Sequence, residues 1–120
     1  MANPFVHIEL MTTDVAKAKS FYGKLFNWQL EDMPMDDMTY TMIKVGEGTG
    51  GGILKNPMPG TPSMWVPYVD VDDLEGATDK VRTLGGKVMR EPTEVKGHGR
   101  FTIVTDPNGT MLGLWEQKKS

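Results

Sequence analysis

The chain has 120 residues, with 13 Lys and Arg against 16 Asp and Glu, a net charge of −3 and no cysteine. That length supports one compact domain burying about two thirds of its unfolded surface; the missing cysteines exclude disulfide and thiolate chemistry, and the short pair Lys118-Lys119 gives no electrostatic footprint for nucleic acid. No stretch approaches the roughly twenty apolar residues of a membrane span, and Met1-Ala2-Asn3-Pro4 has neither a basic end nor an apolar run, so no membrane association and a soluble, cytoplasmic protein are expected.

Residues 5–11 alternate, with Val6, Ile8 and Leu10 on one face and His7, Glu9 and Met11 on the other, which predicts a strand with a different neighbour on each side. Asp14 is placed to cap a helix running to Leu25, whose Ala18, Phe21, Tyr22 and Leu25 fall at helical spacing and are expected to cover the Ile8 face. Strands are predicted near 27–31, 39–45 and 50–55. Lys55 to Pro62 holds three prolines in six residues and reads as a stiff connector. A second strand starting at Trp65 leads to a helix in which Asp72 and Glu75 have capping-box spacing, Leu74, Ala77, Val81 and Leu84 make the apolar stripe, and Gly85-Gly86 supplies the stop. Strands follow near 86–91, 100–106 and 110–116, the last two joined by the turn Asp106-Pro107-Asn108-Gly109.

These elements read twice. Asp14 and Leu25 recur as Asp73 and Leu84 at an offset of 59 residues, and Tyr40 and Gly52 align with Phe101 and Gly113 at an offset of 61. A repeat of that length fits a duplicated supersecondary module rather than a solenoid unit. The expectation is an α+β chain, a single domain over 1–120, built of two tandem βαβββ modules at about 4–55 and 63–117 joined by the linker 55–62. Sheets of this kind can curl to enclose a cleft lined by the odd-numbered residues of the first strand, and such a cleft is the natural place for function.

The paired modules, the histidine seven residues before an Asp-capped helix, the Phe21-Tyr22-x-x-Leu25 stretch and Asp106-Pro107-Asn108-Gly109 together resemble the vicinal oxygen chelate superfamily. That group includes glyoxalase I, bleomycin-binding proteins and extradiol dioxygenases. The resemblance spans roughly residues 4–117 and implies a shared scaffold, a homodimer, and chemistry that must be argued from the site itself. It also implies four metal-ligand positions, which fall here on His7, Gly52, Val66 and Gly113. Only His7 is a ligand type, while a catalytic divalent site needs about three protein ligands, so no metal cofactor is expected. The alternative is a divalent ion recruited through His7 with Glu9 or Asp70.

His7 and Glu9, about 6.6 Å apart along one face, are the candidates for proton transfer or for anchoring a ligand's polar group. Gly52 and Gly113 remove bulk and are expected to widen the cleft floor. Val66 lies at the third position, and Met42, Tyr68, Met111 and Trp115 are candidate walls, Trp115 reading first as core. Arg100 suits either an anionic ligand group or a surface carboxylate. The glycine-flanked segment 94–100 reads either as a lid or as a hairpin loop. Gly46 to Gly52 is no phosphate cradle, because no Lys-Ser/Thr follows and no helix opens after it. Met33, Met35, Met38 and Met42 form an adaptable patch, fitting a pocket wall or a dimer contact. The leading expectation is a cleft that binds a small, partly apolar organic molecule without metal. Its rival is a glyoxalase-like lyase or isomerase using His7 and Glu9.

Overall fold

The computed structural model describes residues 2–35, 38–57 and 60–118; the side chains of Met35 and Met38, two of the four patch methionines, and Met58-Pro59 of the linker lie outside the described residues. The chain divides into two compact units, His7–Val66 and Met1–Val6 with Pro67–Ser120. Phe5-Val6 go with the second half, and the linker and the start of the strand after it, up to Val66, with the first.

In the first half the order is β1 (Phe5–Thr12), α1 (Val15–Leu25), β2 (Gln29–Met35), β3 (Met38–Lys44) and β4 (Gly51–Lys55). In the second it is β5 (Met64–Asp70), α2 (Leu74–Thr83), β6 (Lys87–Val95), β7 (Gly99–Thr105) and β8 (Met111–Gln117). Each is a βαβββ module. The spatial orders are β2-β3-β4-β1 and β5-β8-β7-β6. In both, the strand before the helix pairs in parallel with the last strand, Ile8 opposite Gly51 in one and Tyr68 opposite Gly113 in the other, while the remaining pairs are antiparallel. Parallel neighbours need a crossover, and the helix with its following hairpin supplies it. Among the described residues no helix is long and apolar enough to cross a membrane.

Each helix seats on its own small core. Leu10, Ile43 and Ile53 are packed by Val15, Ala18, Tyr22, Trp28 and Leu30; Leu74, Val104 and Leu114 by Val71, Ala77, Val81 and Val88. Three expectations need correction, the first being Leu84 of the expected α2 stripe, which stands 69% exposed at the C-cap. Phe21 and Leu25 do not cover Ile8: both are exposed and so is Ile8, because the half-buried stripe of α1 runs through Val15, Ala18 and Tyr22 instead. The cap of α2 is Asp73 and not Asp72, its carboxylate accepting from Gly76 N at 3.1 Å, while Glu75 turns away to Arg100. At the other end Gly85 (φ 93°) and Gly86 close the helix as expected, their N–H groups donating to Arg82 O and Val81 O. This is the Schellman arrangement, whose left-handed residue only glycine adopts without strain.

β6 runs to Val95, four residues past its expected end, with register shifts near Arg90 and Thr93. Glu94 pairs with Arg100 and Val95 with Gly99, so the segment 94–100 is a tight hairpin whose turn is Lys96-Gly97-His98. The turn at Asp106 closes as predicted, Gly109 N donating to Asp106 O at 2.9 Å.

The capping assignment is checked by urea unfolding. Asp73→Ala should cost about 1 kcal/mol, whereas Asp72→Ala should fall within about 0.5 kcal/mol of the parent chain.

Candidate functional site

β1 carries His7 and Glu9 on one face, and β3 brings Tyr40 between them. His7 Nε2 and Tyr40 Oη are 2.6 Å apart, and the Tyr40 hydroxyl donates to Glu9 Oε1 at 3.1 Å. The imidazole and phenol rings lie near-parallel, 22° apart. Glu9 is only 7% exposed, and a carboxylate at that depth is tolerated when donors meet it. Burial, and then the Glu9 charge, raise the Tyr40 phenol well above its ordinary value, so it keeps its proton across the physiological range. Burial lowers the His7 imidazole, favouring the neutral ring. With the Tyr40 proton directed at Glu9, His7 Nε2 is the donor to Tyr40 Oη. The three side chains form a directed chain that can hand a proton between imidazole and carboxylate.

Tyr40 occupies the space beside Gly52. Glu9 and Met42 are the register partners of Gly52 on its two sides, and a Cβ built on Gly52 would lie 1.8 Å from Tyr40 Oη. The same substitution of contents occurs in the second unit. Gly113 is the register partner of Tyr68, and a Cβ there would lie 2.3 Å from the Tyr68 ring. Tyr68 is buried and meets Phe101 edge-on, centroids 6.1 Å apart. By the repeat, Glu9, Tyr40 and Gly52 correspond to Tyr68, Phe101 and Gly113. One copy therefore holds a polar pair over its glycine and the other an aromatic pair. The expectation that the two glycines widen a cleft floor is corrected: each gives its space to a tyrosine.

Of the other predicted residues, Met42 sits half-buried on β3 and Val66 is fully buried on β5. Met111 and Trp115 are half-buried on β8, Trp115 opposite Phe101 and packed over Gly99, where a Cβ would lie 2.8 Å from its ring. Arg100 binds both carboxylate oxygens of Glu75 and approaches Glu116 Oε2 at 3.4 Å. Its charge serves the start of α2, where Glu116 also accepts from Leu74 N at 2.9 Å. Asp73, Glu75 and Glu116 lie close enough to share a cation, but Arg100 and the helix N–H groups already supply that positive charge. Tyr40 escaped the sequence reading. The repeat held the signal, since it aligns Tyr40 with Phe101 two residues from each glycine's partner.

The residues do not fit a divalent ion at the four positions the resemblance implies. Gly52, Gly113 and Val66 offer no donor atom, and tyrosine side chains fill the space where a longer side chain at 52 or 113 would stand.

The model of the Glyoxalase/Bleomycin resistance protein/Dioxygenase superfamily matches residues 5–114. The chain is similar to the putative glyoxylase CFP32 of Mycobacterium tuberculosis, 35% identical over 93% of this chain and 45% of that protein. It is also similar to the anthracycline biosynthesis protein DnrV of Streptomyces peucetius, 36% identical over 91% of this chain and 45% of that protein. The chain spans about half the length of these curated relatives. Among solved structures, methylmalonyl-CoA epimerase from Mycobacterium tuberculosis superposes with a TM-score of 0.70 at 15% identity, covering 96% of this chain and 88% of that one. At that identity the likeness is one of fold.

Two measurements check this geometry. Gly52→Ala should destabilise the chain by about 1–3 kcal/mol through overpacking against Tyr40, and Tyr40→Ser in the same chain should recover part of the loss, a non-additivity read from a double-mutant cycle. Because folding lowers the His7 pKa, the unfolded chain binds the extra proton as pH falls through about 6.5, so stability is lost in that direction. The slope of unfolding free energy between about pH 7.5 and 5.5 should be flatter in His7→Gln than in the parent.

Proposed function

Because the chain belongs to the Glyoxalase/Bleomycin resistance protein/Dioxygenase superfamily, we propose that it binds a small, partly apolar organic molecule without a native metal, using the His7–Tyr40–Glu9 chain as its polar anchor. The observation that carries this reading is that chain itself: hydrogen bonds of 2.6 and 3.1 Å at the first-strand position where metal-dependent members of the resembled group keep a ligand, with Gly52 beside it. A buried, pre-oriented donor and acceptor series fixes the orientation of a ligand's carbonyl or hydroxyl, and apolar walls such as Met42 supply the rest of the affinity. A relative named for anthracycline biosynthesis supports a largely carbon ligand with oxygen substituents. A cytoplasmic homodimer is proposed as the working form, the absence of cysteine suiting a reducing compartment.

A second reading is favoured by the direction of the same hydrogen bonds. A neutral imidazole linked through a phenol to a carboxylate can take a proton from a carbon acid and return it elsewhere, the step a glyoxalase-like lyase or isomerase requires. The relative called a putative glyoxylase supports keeping that assay in view.

The test is elemental analysis of natively purified chain, with a thermal-shift ligand screen on the parent, His7→Ala and Tyr40→Phe. The expected result is well under one equivalent of any divalent ion, and ligands whose stabilising shift shrinks in both variants. About one equivalent of metal, lost in His7→Ala, would overturn the metal-independent reading.

A further inference from the structure

The two module copies differ in a respect the site does not use. α2 is anchored by Leu74 and Thr78, both buried, whereas α1 has no buried residue along its eleven positions. Phe21 is 59% exposed, Leu25 55% and Phe26 44%. The rings of Phe21, Tyr22, Phe26, Trp28 and Trp65 form one continuous set, with neighbouring centroids from 4.7 to 6.3 Å apart. Beside them opens an apolar cavity of about 310 Å³ whose wall includes Ile8, Trp28, Ile43, Val45 and Trp65. Ile8 points away from the His7 and Glu9 face of β1, so this is not the polar site.

Tyr22 and Trp28 pack on the core of Leu10, Ile43 and Ile53, but the module does not need the exposed rings of Phe21 and Phe26 to fold. Fifty-nine residues on, Phe21 and Trp28 are matched by Lys80 and Lys87, and Phe26 by Gly85. The second copy builds the same helix and strands with charged or absent side chains there. The exposed rings of Phe21 and Phe26 in the first copy therefore answer to something outside the module. Phe21, Leu25, Phe26, Trp65 and Ile8 together leave on the order of 500 Å² of side chain in water, at the upper end of what an ordinary monomer tolerates. That is more than half of the ~800 Å² each partner contributes to a stable dimer.

We propose that this aromatic face, α1 with Trp28 and Trp65, is where a second copy of the chain docks. The proposal rests on the homodimer reading above and assigns its surface. A molecule sized to the cavity would cover Ile8, Trp28 and Trp65 and leave Phe21, Leu25 and Phe26 in water; a second copy covers all of them. The centre of the face is aromatic, with Lys17 and Lys24 of α1 at its edge, so its apolar part can meet its own copy across a twofold axis, as an isologous contact requires. CFP32 and DnrV have more than half of their length beyond the matched part, further chain of a size that could cover such a face internally.

The test is sedimentation velocity on the full chain between about 1 and 100 μM, with Phe21→Lys, Leu25→Lys and, as a control, Leu84→Lys at the position equivalent to Leu25. A dimeric parent is expected, with association weakened at least tenfold in Phe21→Lys and Leu25→Lys, unchanged in Leu84→Lys, and with the same far-ultraviolet circular dichroism in all. A parent that stays dimeric when Phe21 and Leu25 are both lysine overturns this surface and leaves the dimer reading standing. A parent that is monomeric throughout overturns both, and uptake of anilinonaphthalene sulfonate by that monomer would mark the cavity as a ligand site instead.

Discussion

The parallel pairing of the first and last strand in each module is the constraint on which the rest depends. It sets Glu9 against Gly52 and Tyr68 against Gly113, and it requires a crossover long enough to hold a helix. Once those registers are fixed, the glycine is the one residue that leaves room for the tyrosine lying over it. The helix must then seat above the opposite face of the same strand, where Leu10 in one copy and Leu114 in the other form its floor. The polar chain at Tyr40 and the core under α1 are thus two faces of a single strand arrangement.

Much of this was legible in the sequence because it is periodic. The βαβββ order, the N-cap at Asp14, the glycine stop at Gly85-Gly86 and the turn at Asp106 are each written in local chemistry that the structure follows. The errors have physical causes. Asp72 and Asp73 are adjacent caps of the same type, and the choice fell to tertiary structure, because Arg100 draws Glu75 out of a capping box. β6 ran long because its partner β7 continues to Gly99, which no local signal near Glu91 announces. At the site, alternation put His7 and Glu9 on one face, but the residue joining them comes from a strand thirty positions away, and sequence spacing carries no information on such a contact unless the repeat is aligned column by column.

The duplication also shows how two copies of one scaffold divide labour. In the first, the residues over the glycine are polar and the helix exposes Phe21 and Leu25; in the second, the pair over the glycine is Tyr68 with Phe101 and the helix surface carries Lys80 and Arg82, the latter paired with Asp79 and Glu91. A buried hydrogen-bond chain needs every member satisfied, whereas an aromatic pair needs only shape, so the second copy is the more tolerant of change at these positions. Exposed ion pairs around Arg82 add little stability but keep that face wet.

The tight fit at Gly52 and Gly113 has a historical consequence. A chain of this kind cannot acquire a carboxylate or imidazole at either position by one substitution, since the side chain would enter space already held by Tyr40 or Tyr68. The tyrosine would have to shrink first, and in the first copy that step gives up the link between His7 and Glu9 before any gain is made. Each site is therefore guarded by a valley that costs stability before it returns function. Such a chain acts as a ratchet, able to elaborate its present polar chain far more readily than to gain a side-chain ligand at 52 or 113.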